Sequence, residues 1–530
     1  MKRLKFFLPD ISLLTAKRWM ASPLWPVLAL AAAFRIPLLL LPGAGRDEAT
    51  YFYWGHHFEP AYAPLLQLFS RFSSALPLPE VLQLRLPSFM AGMAALVLFD
   101  ALLRNRRASR SWRLMGLLAV ALSPWQTYAG SILHPDALLL CFILAFLLAI
   151  RKNRYLPAAV LAGLAVWSKP TGILLLFPLA YLLFRSGRFS RGVAAGYAAL
   201  AGGIAAPVLL SLDWPMIQAI AEFGKMAESA SLWQRLLVEG ASALLLGGLL
   251  LPVALRQVRK SRWREWVSPQ MDVEKAVAGV TALTFGVVFG GAVLITGQVK
   301  GNWILPACVI LWPAFPERWG RKTLMGGILA TGVVSLALVG AFRHPEWLRW
   351  SENRIAHLGN TYVLQAGTRE YRVSASHSWS DRVREYRSMG EFAGEIRRAW
   401  EQANPTAPAP RWIVSDDYGL AAQVIFCCRW WNTSLIIPGD GIFCHTLPGA
   451  GIDRLPGGAI LILGVHGPPE GVWPRLRYVK DVVRIRHPIC GVPVGIAVSD
   501  GVLRKSTGIT DAAPRRWREK LIRWLGVHFK

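Results

Sequence analysis

The chain has 530 residues, 53% of them hydrophobic, and a mean hydropathy of +0.35. That is more apolar surface than one water-soluble core of this size needs, which excludes an ordinary soluble domain. A formal charge of +27 would suggest nucleic acid in a soluble protein, but the basic residues here sit in short loops between apolar runs and carry topology instead.

Apolar runs of roughly 17 to 22 residues recur between Leu24 and Ala341, the length a helix needs to cross hydrocarbon. About eleven spans are predicted, at 24–41, 84–103, 114–130, 137–150, 155–167, 171–184, 192–212, 236–255, 273–296, 303–315 and 323–341. Basic loops follow alternate spans: Arg104, Arg106, Arg107, Arg110 and Arg113; Arg151, Lys152 and Arg154; Arg185, Arg188 and Arg191; Arg256, Arg259, Lys260, Arg262 and Arg264; Arg318, Arg321 and Lys322. By the positive-inside rule these face the cytoplasm, and so does the N-terminus with Lys2, Arg3, Lys5, Lys17 and Arg18. The loops around Asp47, His134, Lys169, Asp213 and Lys300 then lie outside, as does everything after the last span. With no clear cleavage site behind it, the first span reads as a signal anchor. The predicted location is the cell membrane, multi-pass.

The first outer loop, 42–83, has room for surface helices and is rich in aromatics: Tyr51, Phe52, Tyr53, Trp54, Phe58 and Tyr62. Such rings favour the membrane interface. After Ala341 the pattern changes to mixed segments punctuated by Pro and Gly, which marks residues 342–530 as a soluble domain outside the membrane. Within it 381–402 reads as an amphipathic helix and 411–415 and 459–465 as buried strands, so an α/β arrangement is expected. The tail 514–530 groups Trp517, Leu521, Trp524 and Leu525 among basic residues and suits either anionic headgroups or docking on the domain. Cys427, Cys428, Cys444 and Cys490 fall in this outer region, where disulfides are permitted, though no pairing follows from their spacing. The fold class is therefore mainly α, a polytopic transmembrane bundle in residues 1–341 with an extracytoplasmic α/β domain.

Asp47 and Glu48 stand directly after the first span. Carboxylates at a hydrocarbon boundary are costly to desolvate, and one can serve as the base that takes a proton from an acceptor hydroxyl. Acidic capping of a loop helix over 49–58 accounts for the same pair structurally. Ser168-Lys169-Pro170-Thr171-Gly172 divides a long apolar stretch and sets a lysine near the outer face. Pro170 suits a first helical turn, so the helix from Thr171 would offer amides and its dipole to a phosphate beside Lys169; a snorkelling lysine in a tight turn is the plain alternative. His134-Pro135-Asp136 occupies another outer turn, and Asp136 could simply cap a helix. Lys300 and Asn302 open a later span as a second cationic site or an interface anchor. Arg35 lies within the first span and must meet a carboxylate, a carbonyl or a phosphate. His56 and His57 follow the acidic pair on the loop and could assist an acceptor or be structural. Among Cys and His residues no metal-ligand spacing is evident, and a divalent metal could replace one of the cations.

In order along the chain, these segments resemble the polyprenyl-phosphate-sugar-dependent branch of the C-type glycosyltransferases, related to protein O-mannosyltransferases and to the lipid A aminoarabinose and galacturonic acid transferases. Asp47-Glu48-Ala49 with Tyr51 is similar to the family's Asp-Glu-Ala-Tyr motif, Pro64-Leu65-Leu66 to its Pro-Pro-Leu, and Leu84-Arg85-Leu86-Pro87-Ser88 to its Val-Arg-Leu-Pro-Ser. His134-Pro135-Asp136-Ala137 resembles Thr-Pro-Asp-Ala, Ser168-Lys169-Pro170-Thr171 resembles Ser-Lys-Tyr-Thr, and Asn302-Trp303 with Pro306-Ala307 resembles Asn-Trp-Pro-Ala-Pro-Ala. Asp417 to Ala422 with Phe426 resembles an outer-domain motif of part of the family. Ala63-Pro64 departs from it where His or Lys often stands. The resemblance implies a polyprenyl-phosphate-linked sugar as donor, a lipid, glycan or protein acceptor, Asp47 as catalytic base with Glu48 orienting it, and inversion at the anomeric carbon. It implies donor phosphate near Lys169, with Lys300 and Arg35 as further cations, and substrate contacts from Tyr51, His56, His134, Asp136 and Asn302. A lipid-linked sugar transporter, or an O-antigen ligase or polymerase, would share the spans and the carrier, but internal repeats typical of transporters are absent.

Overall fold

A computed structural model describes residues 22–60, 62–185, 189–211, 232–260, 273–296, 305–314, 320–347, 361–366, 369–374, 379–403, 405, 407–415, 418–436, 460–464, 479–486 and 493–499. Lys300, Asn302, Asp213, Asp417 and the tail 514–530 lie outside them. The membrane-length part opens with α1 (Leu24–Leu39), the loop helices α2 (Arg46–His56) and α3 (Pro64–Ser74), and the long α4 (Glu80–Asn105). It continues through α5 (Arg110–Ala121), α6 (Pro124–Ala129), α7 (Pro135–Arg151) and α8 (Tyr155–Ser168), then a 3-10 segment (Pro170–Leu175) leading into α9 (Leu176–Arg185). The helices α10 (Arg191–Ser211), α11 (Leu232–Gly247), α12 (Leu250–Lys260), α13 (Val273–Thr296), α14 (Leu305–Ala314) and α15 (Arg321–Arg343) complete it.

These helices follow the apolar runs, with three local breaks. The 114–130 run divides where Ser123 accepts a hydrogen bond from the Gln126 amide at 3.2 Å and Pro124 opens a new first turn. The 236–255 run breaks at Gly248, whose φ of +53° suits glycine and whose missing side chain makes room for Thr331. The run from Thr171 begins as a 3-10 segment, not as the α-helix expected there.

Among the described residues, three helices are each long and apolar enough to cross a membrane: α4, α10 and α15. Their outer rows would be costly in water. On α15, Leu329, Val333 and Leu336 are 64%, 64% and 57% exposed and follow one another at helical spacing, each worth roughly 1.5 to 3 kcal/mol if buried. Hydrocarbon is the medium that matches such a row.

The aromatic loop is placed differently from the sequence expectation. Phe52, Tyr53 and Trp54 are buried, because α2 turns them into protein and not toward a membrane interface. They share a core with Met389, Phe392 and Trp400 of α16 (Trp379–Ala403) and with Leu420, Val424 and Phe426 of α17 (Tyr418–Cys428). The rest of the C-terminal region holds the antiparallel hairpin β1 (Thr361–Ala366) and β2 (Arg369–Ser374), and a five-stranded sheet of order β4-β3-β5-β7-β6. In that sheet β3 (Trp412–Ser415) lies parallel to β4 (Ser434–Ile436) and β5 (Ile460–Gly464), while β7 (Pro493–Ser499) runs antiparallel to β5 and β6 (Val479–Arg486). Contacts between α2 and this region put the first loop and the C-terminal elements at one end of the bundle: the Leu435 amide donates to the Tyr53 hydroxyl at 2.9 Å, and the Gln423 side chain to the Ala44 carbonyl at 3.1 Å.

Candidate active site

Gly45 caps α2, and its amide donates to Glu48 Oε2 at 3.2 Å, so Asp47 and Glu48 lie within the first helical turn. The turn sends them to opposite sides: Asp47 is exposed and Glu48 is buried. Glu48 is held on both oxygens. Arg85 Nε donates to Oε1 and Nη2 to Oε2, each at 3.0 Å, and the Leu133 amide donates to Oε1 at 2.8 Å. Arg85, itself wholly buried, also donates to the carbonyls of Leu39, Leu41 and Gly43 and lies 5.6 Å over the Tyr386 ring. One carboxylate and one guanidinium thus join the end of α1, the start of α2, α4, and the turn before α7. Glu48 is anchored by this network in the same helical turn as Asp47.

Asp136 and Lys169 form the second buried pair, Nζ to Oδ1 at 2.6 Å. Pro135 opens α7 and His134 caps it, accepting from the Asp136 amide at 3.3 Å, with the imidazole 3.6 Å from Oδ2. Trp125 Nε1 donates to the same oxygen at 3.2 Å. Lys169 sits in extended backbone between α8 and the 3-10 segment, and its carbonyl accepts from the Gly172 amide at 2.8 Å. The expected helix terminus with a row of outward amides is therefore corrected to a short 3-10 turn in which the cation faces an aspartate. Gly172 is required there: a β-carbon would come within 2.2 Å of the Ala165 carbonyl, so α8 and the 3-10 segment pack backbone to backbone.

Tyr62 links the two parts. Its ring stacks on Tyr51 at 6.0 Å and 5°, its hydroxyl hydrogen-bonds with Tyr51, and it interacts electrostatically with Lys169, Asp136 and Asp47. Burial pushes its phenol above the ordinary range. Gln67 fixes the turn that delivers it, donating to the carbonyls of Tyr62 at 2.6 Å and Glu59 at 2.7 Å and accepting from the Glu59 amide at 2.8 Å. The chain then passes through Ala63 at φ 51°, a left-handed position rare for alanine, into Pro64 at the head of α3.

Other expectations fare differently. Arg35 is fully buried lower in the bundle, where Nη1 donates to Met93 Sδ at 3.3 Å and Gly92 and Gly130 close over the guanidinium; its Nε and Nη2 find no partner among the described residues. His56 stacks its ring on Trp431 at 5.0 Å and 12°, and its Nδ1 donates to the Phe52 carbonyl at 3.0 Å, so it takes part in the packing between the first loop and the C-terminal elements. His57 Nε2 donates to the Trp431 carbonyl at 2.9 Å. Burial lowers the pKa of both imidazoles, and in each case a backbone hydrogen bond partly opposes the shift. Three site residues were missed as such: Arg85, Trp125 and Tyr62. For Arg85 a signal existed, since a charge inside an apolar span demands a partner. Among the described residues no three His, Cys, Asp or Glu side chains converge as metal ligands.

No family model and no curated protein matches the chain. Among solved structures it is similar to ArnT from Cupriavidus metallidurans in the apo state, with 13% identity over 91% of this chain and 98% of that one and a TM-score of 0.49. It is similar to the same protein bound to undecaprenyl phosphate, with 13% identity, 92% and 100% coverage and a TM-score of 0.47. It also matches the Archaeoglobus fulgidus oligosaccharyltransferase tethered to an acceptor peptide, with 12% identity, 76% and 63% coverage and a TM-score of 0.41.

Proposed function

We propose that this chain is a multi-pass membrane glycosyltransferase that moves a sugar from a polyprenyl-phosphate carrier to a hydroxyl of a lipid, glycan or protein acceptor at the outer face. The observation that carries the reading is the turn before α7, which joins the two buried pairs: the Leu133 amide donates at 2.8 Å to Glu48, neighbour of the exposed carboxylate Asp47, and Asp136 just beyond holds Lys169 at 2.6 Å. The order of the sequence motifs supports it, because these are the segments in which the resemblance resides. The distribution of Lys and Arg among the loops supports the outer location.

In this reading Asp47 takes the proton of the acceptor hydroxyl as its oxygen attacks the anomeric carbon. The bond from that carbon to the phosphate oxygen breaks, and the phosphate leaves with the electron pair, so the product is inverted. Lys169 supplies positive charge to the leaving group while Asp136 holds its ammonium in place, and Lys300 is the further cation toward that group. Glu48 acts through Arg85 as a positioning residue. His134 and Asn302 remain candidates for the donor side, and Tyr51 with Tyr62 forms an aromatic wall.

The test is sugar transfer in proteoliposomes together with mass spectrometry of envelope lipids, glycans and glycoproteins from cells carrying the wild type or Asp47→Asn. Loss of one modified species in the variant, with normal insertion, names sugar and acceptor together. Wild-type product levels in Asp47→Asn would overturn the assignment, and unaltered donor affinity in a folded Lys169→Ala would remove its phosphate role.

A further inference from the structure

Four consecutive residues lead into the first turn of α2, and each of them meets the C-terminal region. Gly43 abuts the backbone of Tyr386 in α16: a β-carbon there would stand 2.5 Å from the Tyr386 carbonyl oxygen. The Ala44 carbonyl accepts from the Gln423 side chain of α17 at 3.1 Å. A β-carbon on Gly45 would stand 2.5 Å from the Tyr386 hydroxyl. Arg46 packs on Gly419 of α17, where a β-carbon would come within 2.5 Å of the Arg46 Nε. None of these three glycines has a positive φ, so close approach, and not backbone conformation, is what calls for glycine. The next residue is Asp47.

Tyr386 is also fixed on its bundle side. It is 5% exposed and shares a core with Leu38 and Leu41 at the end of α1, Ile132 in the turn before α7, and Phe342 of α15, whose ring it meets at 5.5 Å and 66°. The Arg85 guanidinium that holds Glu48 lies 5.6 Å over the same tyrosine ring, within the range of a cation–π attraction. One side chain of the C-terminal region therefore stands between the buried ion pair and the backbone that presents Asp47.

We propose that α16 and α17 clamp the segment 43–46 and so set the position of Asp47, with Tyr386 as a positioning residue for the candidate base. The proposal rests on the reading of Asp47 as the base. Asp47 is exposed, and its place is inherited from the backbone beneath it, which two helices of the C-terminal region hold at successive residues. Misplacement of a reacting group by about 1 Å can cost roughly 100-fold in rate. The C-terminal domain then contributes to turnover through the base-bearing turn, and donor binding near Lys169 does not depend on this contact.

The test uses the full chain in proteoliposomes. Hydrogen exchange of the amides in 43–50 should be at least tenfold faster in Tyr386→Leu than in wild type, with those of α5 unchanged. Transfer is followed through the envelope product absent from cells that lack the chain, with the polyprenyl-phosphate lipid fraction of wild-type cells as donor. At saturation its rate per folded molecule should fall tenfold or more in Tyr386→Leu, while the half-saturating amount of donor stays within twofold. Gly45→Ala crowds the same hydroxyl from the loop side and should show the same split. Combining Gly45→Ala with Tyr386→Leu, which removes the crowding ring, should recover most of the rate lost in Gly45→Ala. Wild-type turnover per folded molecule in both single variants, or unchanged exchange at 43–50 in Tyr386→Leu, would overturn the clamp. Wild-type product in Asp47→Asn together with faster exchange in Tyr386→Leu would place the failure in the base assignment. An inactive Asp47→Asn with a fully active Tyr386→Leu would place it in the clamp.

Discussion

Arg85 and Glu48 face each other with both carboxylate oxygens engaged at 3.0 Å, and neither side chain reaches solvent. Removing one charge leaves the other buried and unpaired, which costs about 3 to 5 kcal/mol. Arg85→Ala and Glu48→Ala should each lower the midpoint of thermal unfolding in detergent by many degrees. The double variant Glu48→Ala with Arg85→Ala should lose less than the sum of the two single variants, and strict additivity would show that the pair is not coupled.

Asp47 presents the opposite case. Its carboxylate is exposed, so Asp47→Asn should change stability by no more than about 0.5 kcal/mol. Activity should vanish while the melting curve stays in place. A variant that melts early would assign Asp47 to the scaffold.

The pair Asp136 and Lys169 should behave as Arg85 and Glu48 do in stability, and additionally in function. Lys169→Met leaves the aspartate with Trp125 and His134 alone and should cost about 3 kcal/mol or more. Gly172→Ala tests the same corner without touching a charge: the added methyl meets the Ala165 carbonyl, and overpacking of this kind costs about 1 to 3 kcal/mol. Donor binding measured on protein that remains folded should weaken in both.

Acid should loosen the contact between the first loop and the C-terminal elements. His56 and His57 have pKa values lowered from 6.5, chiefly by burial, with the Arg71 charge adding to the effect on His56 and the His56 charge to that on His57. The folded state therefore binds these protons less readily than the unfolded chain. Their contribution is complete above the unfolded value of 6.5 and is lost as pH falls from there through the lowered folded values. Thermal midpoints measured between about pH 7.5 and pH 5 should fall with acidification, and His56→Phe with His57→Gln should flatten that slope. An unchanged slope would place the acid sensitivity elsewhere.

The helices were legible in the sequence because the length of an apolar run is a local property, and the run at 273–296 coincides with Val273–Thr296. The candidate acids and cations were legible for a similar reason: a charge beside a hydrophobic run stands out wherever its partner is. The partners themselves were not. Arg85 is 37 positions from Glu48 and Lys169 is 33 from Asp136, and no periodicity connects them. The aromatic loop was misread in direction because composition shows that rings will leave water, and only packing decides whether they leave it for lipid or for Trp431. Lys169 was read beside a helix end because Pro170 suits one; the backbone contact at Gly172 selects the tighter turn.

The hydrogen bond from Leu435 to Tyr53 spans 382 positions of chain, and this separation sets an order of events during biosynthesis. A ribosome delivers α2 early, with Phe52, Tyr53 and Trp54 bare, and their permanent covering arrives only after almost all of the later helices have been made. The loop that bears Asp47 must therefore wait through the insertion of the bundle before it acquires its final shape. A chain that stalls or is truncated before α16 and α17 keeps its apolar helices but leaves that aromatic face open, a surface suited to capture by chaperones and proteases. Completion of synthesis thus acts as a checkpoint on whether the site is assembled at all.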